Sequence, residues 1–469
     1  MKILITAFYI VFTTLQSTSD WTRFRGPDGT GVSADRGLPA EIDREKNVVW
    51  SAKAPKGNSS PIIVGGRVFI TGHEGVERIV FCYDSTTGKH IWRKSVSRAR
   101  AETFHPLNGP TTPTPATDGR NIFVFFPDFG LIKYDRDGKE LWRTPLGPFF
   151  SVQGLAASPL YVEGKVILLI DTPEEAYLAA FDAGTGKRAW KAPRPTGALG
   201  SYATPTLFTR DGEPAQIIVA GAVELTGYLA KTGERLWWAR GVTSFPTAPP
   251  FVAGDSVYTV EPAETGWPPF SYPLKLFDKD NDGRIEISEA APDPMWAGSL
   301  RGIDKNVGNG DKVVTEDEYS KAAAANGGGL VRTRVGGKGD VSDSHVVWRH
   351  TKGAPSFTGA LLYQNILYTI RNGIVSTFDP ETGKPLRQER LKDALGDYYA
   401  SPVAGDGKIY FVNQEGKVTA LKAGADWQVL STGALGAQVI ATPAIADGRV
   451  YIRADETLYS FGTKAKINR

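Results

Sequence analysis

The sequence has 469 residues, and its 54 Lys and Arg against 51 Asp and Glu give a net charge of +3 without any basic block. This balance argues against nucleic acid as the main partner. Glycine (52) and proline (31) are abundant, which favours many turns and short strands over long helices. The single cysteine, Cys82, excludes an internal disulfide and a cysteine-based zinc cluster.

The chain begins with a lysine, an apolar run over residues 3–12 and small polar residues up to Asp20. This run is too short to span a bilayer as a helix, and no other stretch is long enough. Together with Ser17 and Ser19, the pattern predicts a secretory signal peptide over residues 1–19, although an ordinary N-terminal strand is the alternative. We therefore expect an exported protein, periplasmic or secreted, without a membrane span.

The remainder of the chain is an eightfold internal repeat. A unit opens on a Ser/Thr-Pro pair or its equivalent, continues through short β-rich runs and closes on an Asp…Thr-Gly-Lys turn and a Trp-bearing strand. Most openings are 41 to 54 residues apart. Four strands at such a period predict a β-propeller blade. Because large aromatic side chains recur in most units, we expect them to pack blade against blade; they are Trp92, Trp142, Trp190, Trp237, Trp348 and Trp427.

The opening hydroxyl residues lie at 60, 114, 158, 204, 401 and 442. They are expected near the central channel, where hydrogen bonds between blades and contact with a ligand explain them equally well.

The last unit ends near Phe461 without a Trp strand, and an unassigned strand, Val48–Lys53, precedes the first unit. Pairing of Val48–Lys53 with Thr457–Phe461 would close the ring and leave no open edge. The predicted fold is all-β: an eight-bladed propeller over residues 48–462, preceded by a lead-in over 20–47.

The blade motif resembles the PQQ-like β-propeller repeat family, which includes quinoprotein alcohol dehydrogenases and the outer-membrane assembly factor BamB. The lead-in from Trp21 to Gly31 is also similar to that of exported members. The resemblance covers about residues 20–462 and implies the fold more than the function, because one fold hosts many activities.

Three departures from the family are visible. Quinoprotein dehydrogenases hold their quinone between a Trp and a vicinal disulfide, with a bridging calcium ion, and a chain with one cysteine lacks that disulfide. BamB-like members carry an N-terminal lipid-bearing cysteine, which is absent here. The sixth unit has Arg387 in place of its Trp. We therefore expect no PQQ cofactor, and Cys82 is interpreted as a small buried side chain.

A small α-helical, EF-hand-like insertion over residues 264–327 is expected to interrupt the fifth unit between its second and third strands. Its centre, residues 278–289, matches the twelve-residue EF-hand calcium loop position by position. The predicted ligands are Asp278, Asp280, Asp282, the carbonyl of Arg284, Glu286 through water, and the bidentate Glu289. Gly283 allows the sharp turn, and Ile285 lies in the short strand that pairs two such loops. The alternative is an acidic turn that binds no metal.

A second half-hand follows this loop. It spans fifteen residues from Asp304 to Glu318, and Thr315 with Glu318 forms a capping box. If it holds an ion of its own, the candidate ligands are Asp304, Asn306, Asp311 and Glu318.

The motifs of hydrolases, metalloproteases and phosphate-binding loops are absent from the sequence. The expected function is a non-enzymatic, calcium-binding scaffold, monomeric, which binds a protein or small-molecule ligand on a propeller face, in cell-envelope protein assembly for example. The alternatives are a quinoprotein oxidoreductase and another propeller enzyme with carboxylates at the central channel; no catalytic residue is assigned.

Overall fold

The computed structural model describes residues 20–463, with gaps at 150, 152, 173–174, 196–199, 223, 244–245, 262–267, 326–327 and 356. The predicted signal peptide lies outside the described residues. Eight antiparallel sheets are arranged as the blades of a propeller, which confirms the predicted fold. In each blade the short first strand lies next to the central axis. In blades 1 to 7 the last strand in the chain lies outermost in the blade, and in blade 8 β1 takes this place.

Strand β1 (Val48–Lys53) precedes the strands of the first four blades in the chain. Blades 1 to 4 are formed by β2 (Ile62–Val64), β3 (Arg67–Glu74), β4 (Glu77–Asp84) and β5 (His90–Ser97); β6 (Ala116–Thr117), β7 (Asn121–Phe126), β8 (Gly130–Asp135) and β9 (Glu140–Pro145); β10 (Leu160–Val162), β11 (Lys165–Asp171), β12 (Ala176–Asp182) and β13 (Arg188–Pro193); and β14 (Thr206–Phe208), β15 (Gln216–Ala220), β16 (Glu224–Leu229) and β17 (Arg235–Arg240).

Blade 5 contains the insertion. Its elements are β18 (Phe251–Ala253), β19 (Ser256–Glu261), α1 (Ser271–Phe277), β20 (Ile285–Glu286), α2 (Pro294–Asn306), β21 (Val313–Val314), α3 (Glu316–Ala325), β22 (Gly329–Arg334), β23 (Gly339–Asp340), α4 (Ser342–His345) and β24 (Val346–His350). The short β23 pairs in parallel with β17 and covers the outer edge of blade 4.

Blades 6 to 8 complete the ring. They are formed by β25 (Leu361–Tyr363), β26 (Ile366–Arg371), β27 (Ile374–Phe378) and β28 (Pro385–Arg390); β29 (Val403–Gly405), β30 (Lys408–Val412), β31 (Lys417–Lys422) and β32 (Gln428–Ala434); and β33 (Ala444–Ala446), β34 (Arg449–Ala454) and β35 (Thr457–Gly462).

Closure of the ring follows the prediction. Strand β1 pairs antiparallel with β35, with Trp50 opposite Ser460 and Lys53 opposite Thr457. The eighth blade is therefore assembled from both parts of the chain. Among the described residues, no helix combines the length and the apolar character needed to cross a membrane.

The repeated Trp and Gly of the blade motif form one recurring contact. At five junctions the Trp of one blade lies on the Gly of the next blade's turn, so that a Cβ built on Gly138 would come within 2.8 Å of the Trp92 ring. Trp237 departs from the prediction, because it lies on Gly227 of its own blade and donates to Gln216 there at 2.9 Å. Turn glycines such as Gly138 also have positive φ, which disfavours any other residue. Indole N–H groups donate to backbone carbonyls in the next blade: Trp50 to Ser85 (2.8 Å), Trp92 to Arg136 (2.8 Å), Trp142 to Ala183 (3.1 Å) and Trp348 to Pro380 (3.0 Å).

The junction of blades 6 and 7 uses a different pair. Arg387 donates from Nη1 to the carbonyl of Trp427 at 2.7 Å, and its guanidinium lies 4.2 Å from the centre of the Trp427 ring. Strand register places Ser431, and not Trp427, at the position of the docking Trp. Trp427 is thus an interface residue, as predicted, but it receives blade 6 instead of docking onto blade 8.

The opening hydroxyls join neighbouring blades. The Oγ atom of one blade accepts a hydrogen bond from the backbone N–H at the equivalent position of the preceding blade. The pairs are Ser60 to Thr114 (2.9 Å), and Thr114 to Ser158, Ser158 to Thr204, Gly359 to Ser401 and Ser401 to Thr442 (each 3.0 Å). Bonds between blades therefore account for these residues, which we call the hydroxyl ring.

The lead-in crosses the face of the ring where the first and second strands of each blade turn. Trp21 exchanges two backbone hydrogen bonds with Ile63 of blade 1, and Val32 forms a parallel bridge with Ala404 of blade 7. Asp35 accepts a hydrogen bond from the Gly448 N–H in blade 8 at 2.8 Å. We call this the turn face; the insertion leaves from the opposite, loop face.

Candidate metal centre

The insertion has a small apolar core of its own. Phe277, Ile285, Leu300, Val314 and Tyr319 are buried together in it. Ile285 lies opposite Val314 in the two-residue ladder of β20 and β21, which joins the two loops. The insertion is helical, as predicted. The helix that follows the first loop begins at Pro294, two residues after Pro292.

The first loop gathers its acidic side chains. Oxygens of Asp278, Asp280 and Asp282 lie within 4.8 Å of one another. Backbone amides hold them there: Asp278 accepts from Asp282 (3.2 Å) and Gly283 (3.1 Å). Gly283 has a φ of +81°, which provides the sharp turn. Hard divalent cations such as calcium prefer this type of oxygen cluster.

The closing carboxylate is also held in place. Glu289 accepts hydrogen bonds from the backbone N–H of Lys279 at 2.8 Å and of Glu286 at 2.9 Å. It therefore lies across the loop from Asp278, where the twelfth residue of a calcium loop closes the site.

Electrostatics in the loop reflect both repulsion and local compensation. The backbone hydrogen bond from Asp282 lowers the pKa of Asp280, but desolvation and the neighbouring carboxylates of Asp282 and Glu289 outweigh it and raise the pKa overall. Arg284 folds back and donates two hydrogen bonds to Asp282, which lowers the pKa of Asp282. The Arg284 side chain therefore pairs with the loop instead of pointing away from it, whereas its carbonyl is the predicted ligand.

Strand pairing fixes the register of the second loop. Because Val314 lies opposite Ile285, Glu318 corresponds to Glu289, and the loop runs over residues 307–318. The backbone agrees, since Lys312 has a φ of +70° at the position of Gly283. Asp311 accepts from the Val313 N–H at 2.8 Å, as Asp282 does from Arg284. The first position is then Val307, an apolar residue.

The predicted ligands of the second loop are only partly brought together. Asp304 precedes the loop by one helical turn, yet its carboxylate accepts from the N–H of Gly310 at 2.9 Å and of Lys312 at 3.1 Å, much as Asp278 binds the first loop. Glu318 accepts from Thr315 in the predicted capping box. Asn306 instead donates to the Gly302 carbonyl within α2, at 2.8 Å. Among the described residues, only the first loop clusters three carboxylates.

A buried ionic cluster between blades 3 and 4 has no signal in the linear sequence. Asp171 is 2% exposed, and Arg194 Nη2 lies 3.7 Å from its carboxylate, too far for a hydrogen bond. Both Asp171 oxygens lack a hydrogen-bond partner among the described residues. Burial raises the pKa of Asp171 to about 6; Arg194 opposes this shift and Glu224 adds to it. Asp171 ends β11, Arg194 follows β13 and Glu224 begins β16 of the next blade, so only the fold brings them together.

The structure offers no fit for a quinone held on a vicinal disulfide. Cys82 is fully buried in β4, opposite Phe69 and Trp92, and it is the only cysteine of the chain. Burial raises the pKa of its thiol to about 12, so it is protonated at neutral pH.

Comparisons with known proteins agree with this fold. A family model described as outer membrane protein assembly factor BamB matches residues 76–317, 175–357 and 371–465. BamB of Burkholderia pseudomallei is 26% identical over 380 residues, 79% of this chain and 86% of that protein. The quinoprotein alcohol dehydrogenase PedH of Pseudomonas putida is 24% identical over 46% of this chain and 37% of its own length.

Two solved structures superpose over nearly the whole chain. BamB from Moraxella catarrhalis has a TM-score of 0.56 over 90% of this chain and 99% of that chain. The quinohemoprotein alcohol dehydrogenase from Comamonas testosteroni has a TM-score of 0.61 over 96% and 82%. Both are 14% identical in sequence, so they show the fold alone. With the family model matching most of its blades, the chain belongs to the PQQ-like, BamB-type family of β-propellers.

Proposed function

We propose that this protein is an exported, calcium-binding β-propeller that acts as a non-enzymatic binding scaffold in the assembly of cell-envelope proteins. The similarity to BamB over 86% of that relative's length supports the proposal most directly, because it extends through almost all blades. The repeated aromatic and hydroxyl side chains are used in contacts between blades. The loops on one face of the ring would therefore bind a protein ligand. The propeller is proposed to act as a monomer.

The second candidate is a quinoprotein oxidoreductase. The sequence similarity to the quinoprotein alcohol dehydrogenase PedH, 24% identity over 46% of this chain, favours it. The single, buried Cys82 disfavours it, because a vicinal disulfide needs two neighbouring cysteines. We therefore rank the oxidoreductase activity second to the scaffold role.

Calcium binding belongs to the first loop in this proposal. Three gathered aspartates and the closing Glu289 supply the charge, and the glycine turn supplies the shape. Without a cation these carboxylates repel one another, so an ion is expected to order the insertion while the ring stays folded. The affinity expected of a sensor-type loop is about 10⁻⁷ to 10⁻⁵ M, or weaker in an exported setting.

Calcium titration calorimetry combined with limited proteolysis tests the metal site. We expect calcium to bind, and to protect the insertion from cleavage that occurs in chelator. Replacement of Asp278 by Ala and Glu289 by Gln should abolish both effects and leave the β-sheet circular dichroism unchanged. The matched control replaces Glu316 by Gln and Asp317 by Ala, exposed acids of α3 outside the first loop, and should keep both effects. Collapse of the whole ring in chelator would contradict the assignment.

The scaffold role is tested by affinity capture from solubilised cell envelopes with calcium present. Enrichment of a component of the outer-membrane protein assembly machinery is the expected result. A dye-linked alcohol oxidation assay after incubation with PQQ and calcium is the opposing test. Turnover in that assay would overturn the scaffold and favour the quinoprotein.

A further inference from the structure

The side chain of Arg25 reaches the centre of the propeller. It is 1% exposed, and its Nη2 atom donates to the carbonyls of Thr30 at 2.8 Å and Ala360 at 2.7 Å. Its guanidinium also lies 6.0 Å from the centre of the Phe251 ring. Ala360 precedes β25 and Phe251 begins β18, so the lead-in inserts a cation between the innermost strands of blades 5 and 6.

That position is where the hydroxyl ring is interrupted. Blades 5 and 6 have Ala248 and Gly359 where the other blades have Ser or Thr. A Cβ built on Gly359 would lie 1.8 Å from Arg25 Nη1, and one on Gly31 would lie 3.3 Å from Nε. Glycine at both sites therefore makes room for the guanidinium, because a side chain at either position would press against it.

The guanidinium is incompletely satisfied. Nε and Nη1 of Arg25 are buried and have no hydrogen-bond partner among the described residues. No carboxylate of the described part of the chain forms an ion pair with Arg25 or with the neighbouring buried Arg23. A buried charge without a counter-charge is costly, typically several kcal/mol.

Both arginines remain charged at neutral pH. Burial, opposed in part by Asp28, lowers the pKa of Arg25 and of Arg23 to about 10. Asp28 itself is exposed, and its carboxylate accepts hydrogen bonds from the N–H and the hydroxyl of Thr30. Arg25 thus brings to the inner strands of blades 5 and 6 a positive charge that no ion pair among the described residues neutralises.

We propose that the interrupted part of the hydroxyl ring is a binding site for a small anion, a halide or a monocarboxylate, held by the free N–H groups of Arg25. The guanidinium is planar, and its free Nη1–H and Nε–H groups lie along different edges of that plane, where Gly31 and Gly359 confine the space. A compact monoanion fits such donors, whereas a large oxyanion that needs a two-pronged contact does not.

Thermal unfolding at constant ionic strength tests this site. Chloride and formate are each titrated against gluconate, an anion too bulky for the site. The melting temperature of the wild-type protein should rise saturably, by about 2 °C or more, in chloride, formate or both. Chloride alone would identify a halide site, and formate alone a carboxylate site.

Two variants separate the site from general salt effects. Arg25→Met should lose the anion-dependent rise. Arg453→Met is the matched control, because Arg453 is equally buried but its Nη atoms donate to Thr71 and Pro55 carbonyls; it should keep the rise at a lower melting temperature. If Arg25→Met fails to fold, anomalous diffraction from bromide-soaked wild-type crystals decides. A bromide peak beside Nη1 supports the proposal. Equal stability in all anions, an unchanged response in Arg25→Met, or, where chloride raises the melting temperature, no such peak overturns it.

Discussion

The buried carboxyl group of Asp171 is expected to make the stability of this propeller depend on pH. The pKa of Asp171 is raised to about 6 by burial, above an unfolded value of about 3.9. The native state therefore holds this proton more tightly. The resulting contribution to stability is complete below pH 4 and is lost as the pH rises through about 6, with a size on the order of 2 to 3 kcal/mol.

Asp171→Asn should remove this loss. The free energy of unfolding of the variant relative to the wild type should rise by about 2 kcal/mol from pH 4.5 to pH 7.5, whatever the difference is at either pH. Urea unfolding at both pH values measures this change. Asp317→Asn changes an exposed carboxyl and should leave the pH profile as it is. An identical difference between Asp171→Asn and wild type at both pH values would contradict the buried titration.

At the level of elements, the two loops of the insertion are unequal partners. β20 and β21 join them, but Val307 occupies the first position of the second loop, and Asp304 already ties that loop's amides to α2. We predict a calorimetric stoichiometry of one calcium ion per chain. Asp304→Asn should leave this number at one, because its carboxylate anchors the second loop. A stoichiometry of two that falls to one in Asp304→Asn would show that the second loop binds its own ion.

For the whole molecule, two parts of the N-terminal region have separate roles. β1 completes blade 8, whereas the lead-in bridges blades 1, 7 and 8 across the turn face. A chain that starts at Asn47 should still unfold cooperatively, at a lower temperature, because the ring remains closed. Removal of residues 20–55 should abolish the cooperative transition, followed by circular dichroism. Equal melting of both shortened chains would contradict the separate role of β1.

The ring was predictable because repetition encodes it. Most of the Ser/Thr-Pro openings, turn glycines and Trp residues make the same contact from blade to blade, so the interpretation of one unit applies to the others. The closing pair of β1 and β35 followed from counting strands.

The non-repeating contacts were beyond the sequence. Arg25 and Ala360 are 335 positions apart in the sequence, and nothing in the sequence around Asp171 indicates that Arg194 lies beside it. The register of the second loop likewise needed the pairing of Ile285 with Val314, since spacing alone suggested a start at Asp304.

The two ends of the insertion meet in a single rung of blade 5, where Glu261 lies opposite Gly329. Adjacent strands are only about 4.8 Å apart, so the insertion replaces a hairpin turn and leaves the ring geometry unchanged. Loop-closure entropy grows slowly, by about 0.6 kcal/mol for each doubling of length, so this connection tolerates a long insert. The hairpin between β19 and β22 is accordingly a natural graft point, at which a foreign domain with neighbouring termini can be exchanged for the native one without redesign of the propeller.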